Sequence, residues 1–390
     1  MASKKQKKTM QEFLSNPAVQ SVVAALVCII LGLLAGYIAL LMIDPAGATE
    51  AMVTILKNYF TYPSGAAVLK YLGNTLVKAA PLLMCALSIQ FCYQAGAFNI
   101  GAAGQYVAGA GASLFCALYL RLPWIVCLIA ALIAGGIFGV FVGLLKAYLN
   151  VNEVISGIML NWIGLYTVNM VLACVKETAS PYTVTVASVN EAALVPSLGL
   201  DKLFSNNKYV TIAIPLSVII AVIIKIVLSK TVFGYEIKAT GIAPDAAKYC
   251  GMREKRNVII TLFIGGALAG IGAAFLFLTG YEQWSVTQSS VPGMGFNGIA
   301  ATFLGGLDPI GTIFASYFIQ HITSGGTYLD KNIYPAQISD CISAIIIYLC
   351  GFVLFFKMYL NVFLKKSGPG VRKSDDKQTA SKANGEGGNK

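Results

Sequence analysis

Charge is what this sequence has least of. Asp, Glu, Lys and Arg make up 12% of 390 residues, against 57% apolar, where a soluble domain carries about 25% charge. A chain so poor in ionised side chains cannot cover its apolar surface in water, and a mean hydropathy of +0.72 agrees. Histidine is nearly missing as well. With His321 alone, a His-based metal cluster is excluded and an intramembrane enzyme lacks a convincing nucleophile and base. The nine cysteines show no CxxC spacing, and most sit inside apolar runs. They read as reduced packing residues, neither a disulfide framework nor a metal site. No glycine is followed by lysine, so the chain holds no GxxxxGK[ST] phosphate loop.

What the sequence does have is long apolar runs, several beyond the ~20 residues that cross a bilayer. The fold class is therefore an all-α polytopic membrane protein. The runs place ten crossings at about 18–43, 72–94, 103–120, 123–149, 153–175, 209–229, 257–280, 294–306, 308–323 and 336–360. The eighth and ninth are too short to cross ~30 Å at about 1.5 Å per residue. The break Gly305-Gly306-Leu307-Asp308-Pro309 between them predicts helices that bend or re-enter, which needs protein or a wet cavity around the freed backbone.

Three regions follow. Residues 1–17 form a basic tail, 18–360 the membrane domain and 361–390 a basic, disordered tail rich in Gly, Ser and Lys. The net charge of +11 gathers in the tails and one loop, which fits anionic lipid and not a nucleic-acid partner. With both ends inside, 19 of the 28 Lys and Arg fall on the inner side and seven on the outer. The positive-inside rule thus predicts a plasma-membrane protein with both termini cytoplasmic. Lys225 and Lys78, within spans, are expected to snorkel to the interface. Glu153 and Asp340 lie near span ends, where solvation or pairing is expected.

A short echo crosses the midpoint. Phe98–Ala103 reads FNIGAA and Phe296–Ala301 reads FNGIAA. Five expected spans separate the copies, so they take opposite orientation, the first near the inner side and the second near the outer. The domain then divides into two inverted five-helix halves, and matched interruptions of this kind point to a solute site near the midplane. The ladders Gly135-Gly139-Gly143 and Gly266-Gly270 have the GxxxG spacing of close helix packing.

Two loops stand out. The outer loop 176–208 is too small for a separate binding domain. The inner loop 230–256 holds a predicted two-turn helix from Pro244 to Cys250, with Pro suited to its start and Gly251 to its end. Ala246 and Ala247 give it a small, flat face that suits a groove on another protein, and an ordinary basic turn fits the same residues.

Glu236, Ala239, Gly241, Ala246, Ala247 and Gly251 in that loop resemble the coupling loop of ABC-importer permeases. AGAFNIGAAGQ (95–105), NEVISGIMLNWIGLY (152–166), GGALAGIGAA (265–274) and GFNGIAATFLGGLDPIG (295–311) are similar to successive signatures of one permease family. That family serves simple sugars, nucleosides and, more distantly, branched-chain amino acids. The resemblance runs from about Tyr71 to Phe355, and the 152–161 run resembles the nucleoside branch more than the ribose branch. It implies a pair of permease subunits, alike or homologous, around one path. It also implies cytoplasmic ATPase subunits on the 234–251 loop, with ATP and Mg there and no cofactor in this chain, and an extracytoplasmic solute-binding protein. Family members often carry an acidic residue before the Gly-Gln, where this chain has Ala103; no role of that acid transfers.

Candidate path residues are Phe98, Asn99, Gln105, Asn161, Trp162, Phe296 and Asn297. Amides donate to and accept from hydroxyls and base edges without moving a fixed charge, and the aromatics could stack a base. The same side chains serve equally to pack helices. An ion-coupled secondary transporter is the alternative, with Glu153 and Asp340 as its carboxylates.

Overall fold

The computed structural model describes residues 17–330, 332–334 and parts of 341–359. The basic tails, Asp340 and much of the expected span 336–360 lie outside the described residues. The helices of six residues or more, among the described residues, are α1 (Pro17–Ile43), α2 (Ala48–Lys57), α3 (Gly65–Gln94), α4 (Ala102–Leu118), α5 (Trp124–Leu149) and α6 (Glu153–Leu172). They continue with α7 (Ala213–Lys230), α8 (Val232–Ile242), α9 (Pro244–Tyr249), α10 (Glu254–Phe277), α11 (Met294–Leu304) and α12 (Pro309–Gly325).

Six of these, α1, α3, α5, α6, α7 and α10, are long and apolar enough to cross a membrane. Six of the ten expected crossings are thus long enough by themselves among the described residues, and the last, 336–360, falls mostly outside those residues. Among the described residues, α4 and α11 are apolar but shorter, and the 11 residues of α11 rise only about 16 Å. Residues 44–71, which follow the first span, are not a bare loop. They hold α2, whose Ala48, Ala51 and Ile55 are buried at helical spacing, and α3 begins within them at Gly65.

Three helices, α3, α4 and α10, form the centre, with 14 of the 17 residues of α4 buried. α3 and α10 are 89% and 72% buried over their most apolar stretches, whereas α1, α5, α6 and α7 bury only a fifth to a third. The outer helices instead present apolar stripes spaced four apart: Ile30, Leu34 and Ile38 on α1, Ile129, Ile133 and Ile137 on α5, Ile155, Met159 and Ile163 on α6. Such stripes would collapse in water and are at home against lipid. This is a multi-pass membrane protein.

The glycine ladders meet each other, as their spacing predicts. A Cβ on Gly135 would lie against the Gly266 carbonyl and 3.0 Å from the Gly270 Cα, and one on Gly139 would overlap the Leu262 carbonyl. α5 and α10 thus touch backbone to backbone. Lys225 does not snorkel freely. Its ammonium pairs with Asp308, the residue whose carboxylate caps α12 by accepting from the Gly311 N–H. Lys78 likewise pairs with Glu282 at 2.9 Å.

Candidate functional site

The chain is interrupted after α3. Ala97 N–H still donates to Cys92 O at 3.1 Å, but Gly96 turns to φ +71° and the helix cannot continue. Glycine is required there twice over. The left-handed backbone favours it, and Gly241 at the end of α8 lies so close that a Cβ on Gly96 would sit 3.0 Å from its carbonyl oxygen. In return, a Cβ on Gly241 would stand 2.7 Å from Gly96 N. Beside this contact is a cavity of about 470 Å³ lined by Tyr93, Gly96, Phe98, Glu153, Gly241 and Leu307, among others.

Three candidate amides hold the interruption together. Asn99 and Gln105 pair reciprocally, Asn99 Nδ2 donating to Gln105 Oε1 at 2.8 Å and Gln105 Nε2 to Asn99 Oδ1 at 3.1 Å. Asn99 Nδ2 also donates to Ser88 Oγ on α3. Asn161 on α6 accepts from the Gly104 N–H at 2.7 Å and donates to Ile100 O. All three are at least 98% buried, so their hydrogen bonds are spent within the protein. Asn169, another amide of α6, accepts from Trp284 Nε1 at 2.9 Å.

The other candidates are accessible. Phe98 lines the cavity and faces Phe303, which also meets Tyr93. Trp162 stacks on Tyr166 along the outward face of α6, 42% exposed. Phe296 is exposed and Asn297 half-buried at the start of α11; no side-chain hydrogen bond engages Asn297 among the described residues.

The two FN motifs do not lie near opposite faces, as expected, but meet. A Cβ on Gly295 would fall 2.6 Å from Ala103 N, so the first turns of α4 and α11 touch through backbone. From that junction the helices diverge. α4 runs alongside α6, pairing Gly101 with Gly157, Gly104 with Asn161 and Gly111 with Val168. α11 runs the other way and brings Phe303 to Tyr93 and Phe98, near the 230–256 end. Two helix N-termini therefore share one place inside the bundle. At the α4 end the Gly104 N–H is already engaged by Asn161.

The 230–256 loop folds as α8 and α9. Thr231 caps α8 by accepting from the Gly234 N–H at 3.1 Å. Pro244 opens α9, and Gly251, at φ +82°, ends it, close to the predicted helix. Ala246 is exposed, while Ala247 is buried and turned inward; Glu236, Ala239 and Gly241 are half-buried. Sequence reading passed over the most exposed apolar residues, Ile242 and Tyr249, which are 86% and 93% exposed. Their signal was present, as two large apolar side chains flanking a short capped helix in a basic loop.

Acid–base and metal chemistry find little here. Among the described residues no group of His, Cys, Asp and Glu could hold a metal ion. At the opposite end, burial and the stacked Tyr71 push the Tyr62 hydroxyl up to about 12, so this phenol stays neutral.

The model of the branched-chain amino acid transport system / permease component family matches residues 71–351. The chain belongs to that family. Among relatives of this permease is the nucleoside ABC transporter permease protein NupB of Lactococcus lactis, 31% identical across 90% of this chain and 95% of that one. The guanosine ABC transporter permease protein NupP of Bacillus subtilis is 30% identical over 83% and 90%. The glucose ABC transporter permease protein TsgB13 of Haloferax volcanii is 27% identical over 74% and 78%. No solved structure matches the permease. Members of the family are transport components, not enzymes, and work with ATPase and solute-binding partners at a membrane.

Proposed function

We propose that this permease is the membrane-spanning subunit of an ABC importer for nucleosides, with ATP and Mg held by separate ATPase subunits. The solute class is supported by NupB and NupP, which match along nearly their whole lengths. The mechanism rests on one observation, the backbone contact of Gly241 with Gly96. It joins the end of α8 to the interruption that leads into α4, so a displacement of the loop reaches the α4–α11 junction without an intervening flexible side chain. Phe296 and Asn297 are the solute contacts in this reading, with Phe98 and Trp162 as further aromatic surfaces. Asn99, Gln105 and Asn161 shape the path from behind.

The 230–256 end faces the cytoplasm, as do both termini, and a second permease subunit completes the path. ATPase docking uses α8 and α9. Tyr249, Ile242 and Ala246 supply its contact surface, and Ala247 sets the seat of α9. The ion-coupled alternative loses ground because Glu153 is bound to Lys146 at 2.5 Å. Uptake of radiolabelled guanosine by reconstituted complex tests the reading. It should require internal ATP, persist without ion gradients and be competed by other nucleosides but not by free ribose; gradient-driven uptake without ATP would overturn it.

Two substitutions separate the roles. Asn297→Leu should lower uptake by about tenfold, the cost of one lost transition contact of ~1.4 kcal/mol, with folded yield retained. Asn99→Leu should lower both together, since it strands the buried Gln105 amide at a cost of about 1–3 kcal/mol. At the docking face, Tyr249→Glu should reduce co-purification of the ATPase subunits by about tenfold or more, because aromatic anchors carry much of an interface's energy. Undiminished co-purification would remove α9 from the interface.

A further inference from the structure

We propose that Lys146 and Glu153 are positioning residues that make the interruption after α3 follow the end of α8 as one body. This rests on the coupling role proposed for α8. Lys146 lies in the last turn of α5 and Glu153 in the first turn of α6. Their side chains are 25% and 16% exposed and bond at 2.5 Å. Each also holds the backbone of the interruption. Lys146 Nζ donates to Gly96 O at 3.4 Å, and Glu153 Oε1 accepts from the Phe98 N–H at 3.4 Å. The ion pair therefore grips the two peptide groups that flank Ala97.

The grip has a rigid base. Between the two helices Asn150 takes the left-handed conformation, its N–H donating to Leu145 O, and Val151 N–H reaches the same carbonyl at 3.1 Å. Asn152 then caps α6, accepting from the Val154 N–H at 2.8 Å. A carboxylate in a helix's first turn is further favoured by the helix dipole. On the other side of Gly96 stands Gly241 in backbone contact, and the cavity beside them leaves α8 room to move.

Without the clamp, a push on Gly96 could be absorbed by rotation about the glycine, the most permissive residue in the path. With Gly96 O and Phe98 N–H both bonded to one ion pair, at 3.4 Å each, the local bend is resisted. Displacement passes instead to Asn99, Gln105 and the first turn of α4. The two roles are chemically asymmetric, since one partner must donate and the other must accept.

That asymmetry supplies the test. In the reconstituted complex with its ATPase subunits, Glu153→Ala and Lys146→Met should each lower guanosine uptake per ATP hydrolysed by about tenfold, within the usual range of a coupling effect. The double variant Lys146→Glu with Glu153→Lys restores an ion pair, and with it folded yield. It should not restore uptake per ATP, because a carboxylate at the first position cannot donate to Gly96 O and an ammonium at the second cannot accept from Phe98 N–H. Recovery of wild-type coupling in the swap would overturn the proposal and leave a plain structural salt bridge. Glu153→Gln, which keeps an acceptor, should retain more coupling than Glu153→Ala; equal loss also counts against the clamp. Amide exchange of residues 95–105 gives a readout independent of solute. It should rise in Glu153→Ala even if the wild type proves not to carry nucleosides, and unchanged exchange would refute the clamp by itself.

Discussion

Gly139→Leu is expected to cost this permease most of its folded protein. Position 139 lies where α5 crosses α10, and a Cβ there already overlaps the Leu262 carbonyl and stands 2.8 Å from its carbon. The obstacle is backbone, so no rotamer change makes room. The helices must separate, and the neighbouring contact of Gly135 with Gly266 and Gly270 opens with them. In a bilayer, helix association depends on such close van der Waals packing because lipid offers no hydrophobic drive between helices. Overpacking in a dense core costs about 1–3 kcal/mol and more where backbone must shift, a large part of a total near 5–15 kcal/mol. Folded, monodisperse protein in detergent should fall several-fold, with a lower unfolding temperature. Gly65→Ala is the matched control, since nothing lies within 4 Å of a Cβ there. Equal yields of the two variants would mean that the glycine seam is not what holds α5 to α10.

This seam was legible in the sequence because it is a local spacing. So were the membrane helices, which follow from run length, and α9, which follows from Pro244 and Gly251. α2 was legible too, in the spacing of Ala48, Ala51 and Ile55 with Glu50 at one end and Lys57 at the other. It is hidden only from a search for helices long enough to cross. Other features are not local. Lys225 finds Asp308 on a different helix, and Lys146 with Glu153 finds Gly96 and Phe98 across 50 and 55 positions. Which amides face inward depends on the same tertiary placement. Asn99, Gln105 and Asn161 differ from Asn297 in nothing the sequence displays, yet only the first three are fully engaged. The FN echo itself was visible, but the depth of its second copy was not. The 278–293 segment packs inward before α11 begins, with Trp284 buried and bonded to Asn169, and no hydropathy profile separates such a segment from a surface loop.

The meeting of the two FN motifs leads to the second large effect. Gly295→Val should reduce uptake by well over tenfold while the protein still inserts and folds. A Cβ at 295 would lie 2.6 Å from Ala103 N and 2.8 Å from the Ala103 Cβ, so α11 must withdraw from α4. The α5–α10 seam does not involve this contact, which is why folded yield should survive. The junction would nevertheless be opened, and with it the position of Phe296 and Asn297 against the first turn of α4. A misplacement of about 1 Å is enough to cost on the order of a hundredfold when several groups must act on one solute. The smaller change Gly295→Ala gives the sharper test when combined with Ala103→Gly. The second substitution removes one of the clashing atoms, so residues in real contact should show a coupling energy of about 0.5–3 kcal/mol in the double-mutant cycle. Uptake in the double variant should exceed that of Gly295→Ala alone. Strict additivity would mean that the two helix starts do not act together, and the solute would then have to be sought elsewhere along the bundle.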